Sequence, residues 1–221
     1  MASKEYEAIL EALLAAVQAA AKEPTASSTG ASSDEIPVGI SNRHIHLSQN
    51  DVERLFGVGY QLTPMKDLSQ PGQFACKETV TLCGPKGAIE KVRVLGPARS
   101  QTQIELLAGD AFKLGVKVPV KLSGDLQGTP GLTIVGPKGS VQTAQGVIAA
   151  QRHIHMAPAD AQRFGVQDGQ LVCIKVDGLR GGIYSKVAIR VTTSSQLECH
   201  LDMEEANAMG VTSATTVTIV K

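Results

Sequence analysis

Five histidines occur in 221 residues, and four of them fall in two triplets, His44-Ile45-His46 and His153-Ile154-His155, with His200 as the fifth. Random placement of five histidines predicts only about 0.1 His-x-His pairs in a chain this long, so two pairs are a signal. On an extended segment residues i and i+2 point to the same face. Both imidazoles of a triplet can therefore converge on one cation while Ile45 or Ile154 faces a core. Neutral imidazole is a good ligand for zinc, and also for cobalt, nickel or iron. Two imidazoles are too few for a closed tetrahedral site, so each pair needs help. His200 can complete one trio and a carboxylate the other; Glu105, in the otherwise apolar run TQIELL, is the candidate.

Arginines frame the same segments. Arg43 and Arg152 precede the triplets, and Arg93 and Arg99 bracket a Gly-Pro turn at 96–97. A guanidinium fork suits a two-point grip on phosphate, so each is a candidate anion ligand, although the repetition of Arg43 and Arg152 equally suits a structural role. The cysteines, Cys76, Cys83, Cys173 and Cys199, show no C-x-x-C spacing, and Cys199 reads as a small buried hydrophobe. No Walker loop, G-x-G-x-x-G, G-x-S-x-G or H-E-x-x-H is present. The residues alone point to an open, two-metal site between two β domains, of the kind that does hydrolysis or group transfer at a carbonyl or phosphoryl centre. A dimetal thioester or phosphoester hydrolase and a non-catalytic zinc-stabilised binding module are the competing readings.

The elements that must carry these groups read mainly as β. Runs rich in Val, Ile and Thr lie at 78–82, 91–96, 116–122, 132–136, 171–176, 186–191 and 215–221, separated by Gly-Pro, Pro-Gly and Asp-Gly turns. Short helices are expected at 48–56, 157–164 and 203–208, opened by Ser48, Ala157-Pro158 and Asp202. The triplets belong to a longer internal repeat: Arg43 to Arg54 recurs as Arg152 to Arg163, offset by 109, and both copies reach Phe-Gly-Val after a one-residue slip. A second echo is Gly-Pro-Lys-Gly at 84–87 and 136–139. A period this long fits a duplicated pair of domains rather than a solenoid.

Ahead of the β region, residues 3–23 are strong helix formers with Tyr6, Ile9, Leu10, Leu13, Leu14 and Val17 on one stripe, followed by linker composition over 24–35. A helix on a long Ser/Thr/Gly tether is expected to dock onto another protein. Lys plus Arg and Asp plus Glu both number 21, and Trp is absent, so neither a basic field nor stacking platforms point to nucleic acid. No run of eighteen apolar residues and no secretory n-region is present, so no membrane span is expected and a reducing compartment is.

The stretches IPVGISNRHIHLS, FGVGYQLTPMKDLSQPGQFACKE, GPARSQTQIEL and the second RHIHM resemble the PduL-type phosphate propanoyltransferases, the phosphotransacylases of bacterial microcompartments. The resemblance covers about residues 36 to 221. It implies two β-barrel domains, residues 43–150 and residues 36–42 with 151–221, preceded by an encapsulation-peptide-like segment and linker over 1–35. It implies reversible transfer of a short acyl group, propanoyl or acetyl, between coenzyme A and phosphate, with two zinc ions per chain. One zinc would be held by His153, His155 and His200, the other by His44, His46 and Glu105. Arg99 matches the family's phosphate-gripping arginine, and Ser41, Lys66, Arg93, Leu95 and Asn207 match positions lining the CoA site. The segment over 3–23 implies a microcompartment lumen address, with shell or cargo proteins as partners, and the enzyme is expected to be a homo-oligomer, a dimer in first place.

Overall fold

A computed structural model describes residues 34–220, so the expected helix over 3–23 and all but the last two residues of its linker lie outside the described part. The strands form two sheets. In the first, β1 (Glu35–Ser41) joins five late strands: β11 (His153–Met156), β12 (Leu171–Val176), β13 (Gly182–Val191), β14 (Glu198–Asp202) and β15 (Thr216–Val220). They close into a barrel in the order β1-β14-β11-β13-β12-β15. Alternation drives this closure: Ile36, Val38, Ile154, Met156, Ile174, Ile189, Cys199 and Leu201 all point into one core, and their neighbours along each strand point out.

The second sheet stays open as a half-barrel. Its strands are β2 (His44–Ser48), β3 (Pro64–Asp67), β4 (Phe74–Cys83), β5 (Ala88–Arg99), β6 (Gln103–Glu105), β7 (Val120–Lys121), β8 (Thr133–Val135), β9 (Ser140–Gln142) and β10 (Val147–Ala150). The order is β7-β10-β6-β2-β5-β4-β8-β9, with β3 paired to β4. Ile45, Leu47, Val80, Leu82, Val94, Ile104 and Ile134 fill a core of its own. The run over 116–122 differs from expectation, since only Val120–Lys121 is strand. Pro119 has no N–H to give to a ladder, although its carbonyl still accepts from Ala149.

Four short helices pack on the sheets: α1 (Gln49–Phe56), α2 (Asp110–Leu114), α3 (Pro158–Phe164) and α4 (Met203–Met209). Ser48 caps α1 by accepting from the Asp51 amide, and Asp202 caps α4 by accepting from Glu205. The repeat's one-residue slip now has a cause. Helices α1 and α3 start at equivalent positions, but α1 runs eight residues and α3 seven, so each ends on its buried phenylalanine, Phe56 or Phe164. The Gly-Pro-Lys-Gly echoes are the β4–β5 and β8–β9 hairpin turns, each closed by a bond from its first glycine to its last carbonyl at 2.9 Å. Among the described residues, no helix is long and apolar enough to cross a membrane.

Candidate functional site

The repeated triplets occupy equivalent places in the two sheets. Each lies on a strand with a parallel neighbour on one side, β5 for β2 and β13 for β11, and an antiparallel one on the other, β6 for β2 and β14 for β11. Because directly paired residues share a face, register decides what stands beside each imidazole. His44 pairs with Glu105, and His153 with His200. The third member of each group therefore sits at the same structural position, a carboxylate in one half and an imidazole in the other. Ile45 and Ile154 are fully buried behind them.

Both groups line one cleft of about 580 Å³, together with Ser41, Arg93, Leu95, Arg99 and Arg190. Lys66, on β3, and Asn207, on α4, are exposed and stand outside that lining. In one group the Nε2 atoms of His153 and His155 approach to 3.1 Å, with the His155 and His200 rings 4.7 Å apart. In the other, His44 Nε2 lies 3.3 Å from Glu105 Oε2, and His46 stands edge-on to His44 at 5.1 Å. Within each trio the ligand-type atoms lie within 4.8 Å of one another.

The equivalence extends to the ring nitrogens. His44 Nδ1 lies 2.8 Å from the Asn42 carbonyl and His153 Nδ1 2.8 Å from that of Gln151. A neutral ring donating from Nδ1 presents the Nε2 lone pair to the cleft. Burial, aided by the neighbouring rings, lowers His46 and His155 to about 3 and His153 to about 4, so all three rings are neutral at pH 7. Burial also opposes charge on His44 and Glu105, but their mutual attraction wins, raising the imidazole and holding the carboxyl well below its usual range. His46 Nδ1 is buried without a hydrogen-bond partner, the kind of orphaned donor set that a bound cation satisfies. Three imidazoles, and two imidazoles with a carboxylate, are the ligand sets of catalytic zinc, so the residues present fit that ion.

These shifts set an acid limit for the metal-free protein. A histidine lowered on folding contributes stability that is complete above its unfolded value near 6.5 and is lost as pH falls toward the folded value. Among the histidines of the two trios, His46, His153 and His155 act in that sense, and His44, which is raised, acts in the opposite one. The urea midpoint of the metal-free protein is therefore expected to fall as pH drops from about 6.5 to 4, and to decline more gently above about pH 6.5 as His44 gives up its proton. A midpoint that rises over that window would show charged, exposed rings.

Around the trios stand groups that sequence reading passed over. Gln103, two residues before Glu105 and almost fully buried, donates from Nε2 to Glu105 Oε1 at 2.6 Å and to Ser123 Oγ at 2.8 Å, while its Oε1 accepts from the Gly124 amide. Ser123 accepts in turn from Arg99 Nη1 at 3.1 Å. Glu198, two residues before His200, lies 2.5 Å from His200 Nε2 and accepts from Ser69 and Gln70, which the half-barrel contributes. Gln103 and Glu198 are thus equivalents. An anionic carboxylate is held by an amide donor, and an imidazole by a carboxylate acceptor. The shared spacing Q-x-E and E-x-H was the available signal.

The four framing arginines divide by partner. Arg43 pairs with Asp110 at 2.8 Å and Arg152 with Glu205 at 2.7 Å, which assigns the repeated pair to bracing the helices. Arg93 donates to the Cys76 and Lys77 carbonyls. Arg99, half-buried, donates to the Ser123 hydroxyl.

Comparisons with known proteins converge on one family. The model of the phosphate propanoyltransferase family matches residues 37–212. A phosphate propanoyltransferase of Thermotoga maritima is 56% identical over 84% of this chain and 89% of its own length. That of Rhodobacter capsulatus is 54% identical over 84% of this chain and 86% of its own, and that of Salmonella typhimurium 51% over 79% and 83%.

Proposed function

Since the chain belongs to the phosphate propanoyltransferase family, we propose that it transfers a short acyl group reversibly between coenzyme A and inorganic phosphate. The observation that carries the reading is the cleft itself, where two equivalent ligand trios and Arg99 meet. The two sheets are then the two domains, residues 43–150 and residues 36–42 with 151–221, and the cleft is their seam. Propanoyl is the acyl group in first place and acetyl the second, because one methylene in an apolar pocket discriminates by only about 1–3 kcal/mol.

His153, His155 and His200 would hold one zinc ion and His44, His46 and Glu105 the other, so two per chain; bound there, zinc supplies Lewis acidity and a soft seat for sulfur. Arg99 grips phosphate, and Ser123 and Gln103 keep the guanidinium and Glu105 in fixed relation to each other. Ser41, Arg93 and Leu95 line the CoA arm of the cleft, with Lys66 and Asn207 reaching the cofactor from outside it. A phosphate oxygen bonds to the thioester carbon as the carbon–sulfur bond breaks, giving acyl phosphate and CoA thiolate. Holding both reactants in one cleft makes the encounter effectively intramolecular.

No protein nucleophile takes part in this route. Burial pushes the Cys199 thiol up to about 12 and the Cys76 thiol to about 11, so neither supplies thiolate near neutrality. Cys199→Ser is expected to keep turnover within about threefold of wild type, since its side chain packs in the barrel core behind the ligands. A dead variant with normal zinc content would mean a covalent acyl-enzyme.

The deciding experiment is release of CoA from propanoyl-CoA with and without phosphate, followed as free thiol. Phosphate-dependent release supports acyl transfer; release without phosphate would make the protein a hydrolase, and none at all a zinc-stabilised binding module. Residues 3–23 are the proposed address to a microcompartment lumen, through shell or cargo proteins. The support for that is the amphipathic stripe read from the sequence.

A further inference from the structure

We propose that Arg190 is a second phosphate-binding guanidinium, supplied by the barrel to act with Arg99 of the half-barrel on the same phosphoryl group. This rests on acyl transfer to phosphate in the cleft and adds a residue to it.

Register places Arg190. On β13 it pairs with His155, while its neighbour Ile189 is fully buried in the barrel core, so Arg190 faces outward with the imidazoles. Glu198, His155 and Arg190 thus form one row across β14, β11 and β13. The cleft counts Arg190 among its walls, and its side chain is half-buried. Its charge acts on His153 and His155 beside it and on Arg99 from the opposite sheet, disfavouring the protonated form of each.

Among the described residues no hydrogen bond or ion pair occupies its guanidinium. The acid in its row, Glu198, is engaged by His200, Ser69 and Gln70. Glu105, the carboxylate that offsets Arg99, is engaged by His44 and Gln103. Two guanidiniums therefore act on each other across a partly desolvated cleft, and neither Glu105 nor Glu198 is hydrogen-bonded to either of them. That repulsion is relieved when an anion with several acceptor oxygens enters between them.

The architecture does not require a cation there. In the half-barrel the equivalent position, beside His46, is Leu95. Arginine also suits the task better than lysine, because its planar fork can bind two oxygens of one phosphoryl group. A phosphoryl group in this cleft could come from inorganic phosphate or acyl phosphate, or instead from the nucleotide end of CoA. The position beside His155, at the ligand trios, favours the transferred group.

The test uses the full-length, metal-loaded protein with Arg190→Ala, Arg190→Gln and Arg190→Lys. KM for phosphate, and for propanoyl phosphate in reverse, is expected to rise about 10- to 100-fold in the alanine and glutamine variants, the loss of a charged hydrogen-bonding partner. KM for propanoyl-CoA should stay within about twofold, and lysine should recover part of the phosphate affinity. Zinc content and thermal midpoint serve as controls for ligand and fold integrity, and the glutamine and lysine variants keep the test open if alanine fails to fold. A rise in KM for propanoyl-CoA alone would assign Arg190 to the CoA phosphates and overturn the proposal, as would unchanged constants throughout. Equilibrium dialysis with labelled phosphate separates this from the activity reading. If the wild type turns over no propanoyl-CoA yet binds phosphate through Arg190, only the acyl-transfer reading fails; undiminished phosphate binding in all three variants removes Arg190 in either case.

Discussion

Arg99→Ala is expected to lower kcat/KM for phosphate by about 10²- to 10³-fold, the scale seen when one preorganised donor to a developing charge is removed. Arg99 is half-buried in the cleft wall, and its Nη1 is aimed through the Ser123 hydroxyl, which Gln103 also holds. The guanidinium is thus set before phosphate arrives and spends nothing on reorganisation. Among the described residues Arg99 forms no ion pair, so fold and zinc content should survive its removal. The effect should appear chiefly as a higher phosphate requirement, with KM for propanoyl-CoA little changed. Arg99→Lys restores charge but not the fork, and should recover only part of the loss. Normal phosphate saturation in the alanine variant would remove Arg99 from phosphate binding.

Removing one imidazole from each trio, His46→Ala with His155→Ala, is expected to abolish acyl transfer, by more than about 10⁴-fold, while the two cores persist. Each single variant should lose one of the two zinc ions. The metal-free fold should tolerate His46→Ala unusually well, because that ring is buried with an unpartnered Nδ1 and its removal relieves an unsatisfied polar group. The same logic governs chelation: activity should disappear before the far-ultraviolet circular dichroism changes, since Ile45 and Ile154 hold their strands through core packing rather than through the ligands. Unfolding in step with metal loss would instead mark a structural zinc module. Zinc analysis of each variant beside its unfolding curve separates the two outcomes.

How far these expectations were legible from residues alone depends on whether the relevant contact is local. Short-range order was readable. The β runs at 78–82, 91–96, 171–176 and 186–191 lie within β4, β5, β12 and β13, and the three expected helices agree with α1, α3 and α4 within one residue. The stretch over 116–122 misled because its valines alternate as a strand would, yet Pro119 interrupts the ladder and Val116 and Val118 pack against the half-barrel core from a loop. Helix α2 leaves no mark in the residue pattern, being five residues long with only Leu114 of its apolar residues in the core and no stripe to signal it.

Residue order alone makes His44 with His46, and His153 with His155, neighbours on one face, because the period of two along a strand holds whatever the rest of the chain does. It also determined that this arrangement occurs twice, since the repeat is written in residue identities. What stands beside each pair follows from long-range strand pairing. Glu105 is 59 residues beyond His46, and His200 is 45 beyond His155; their places depend on strand register, which is set by the packing of whole sheets and would move every side chain to the opposite face if it slipped by one. Gln103, Glu198 and Arg190 enter the site by that same register. Their chemistry was spelled in the chain, but their address exists only once the strands have paired.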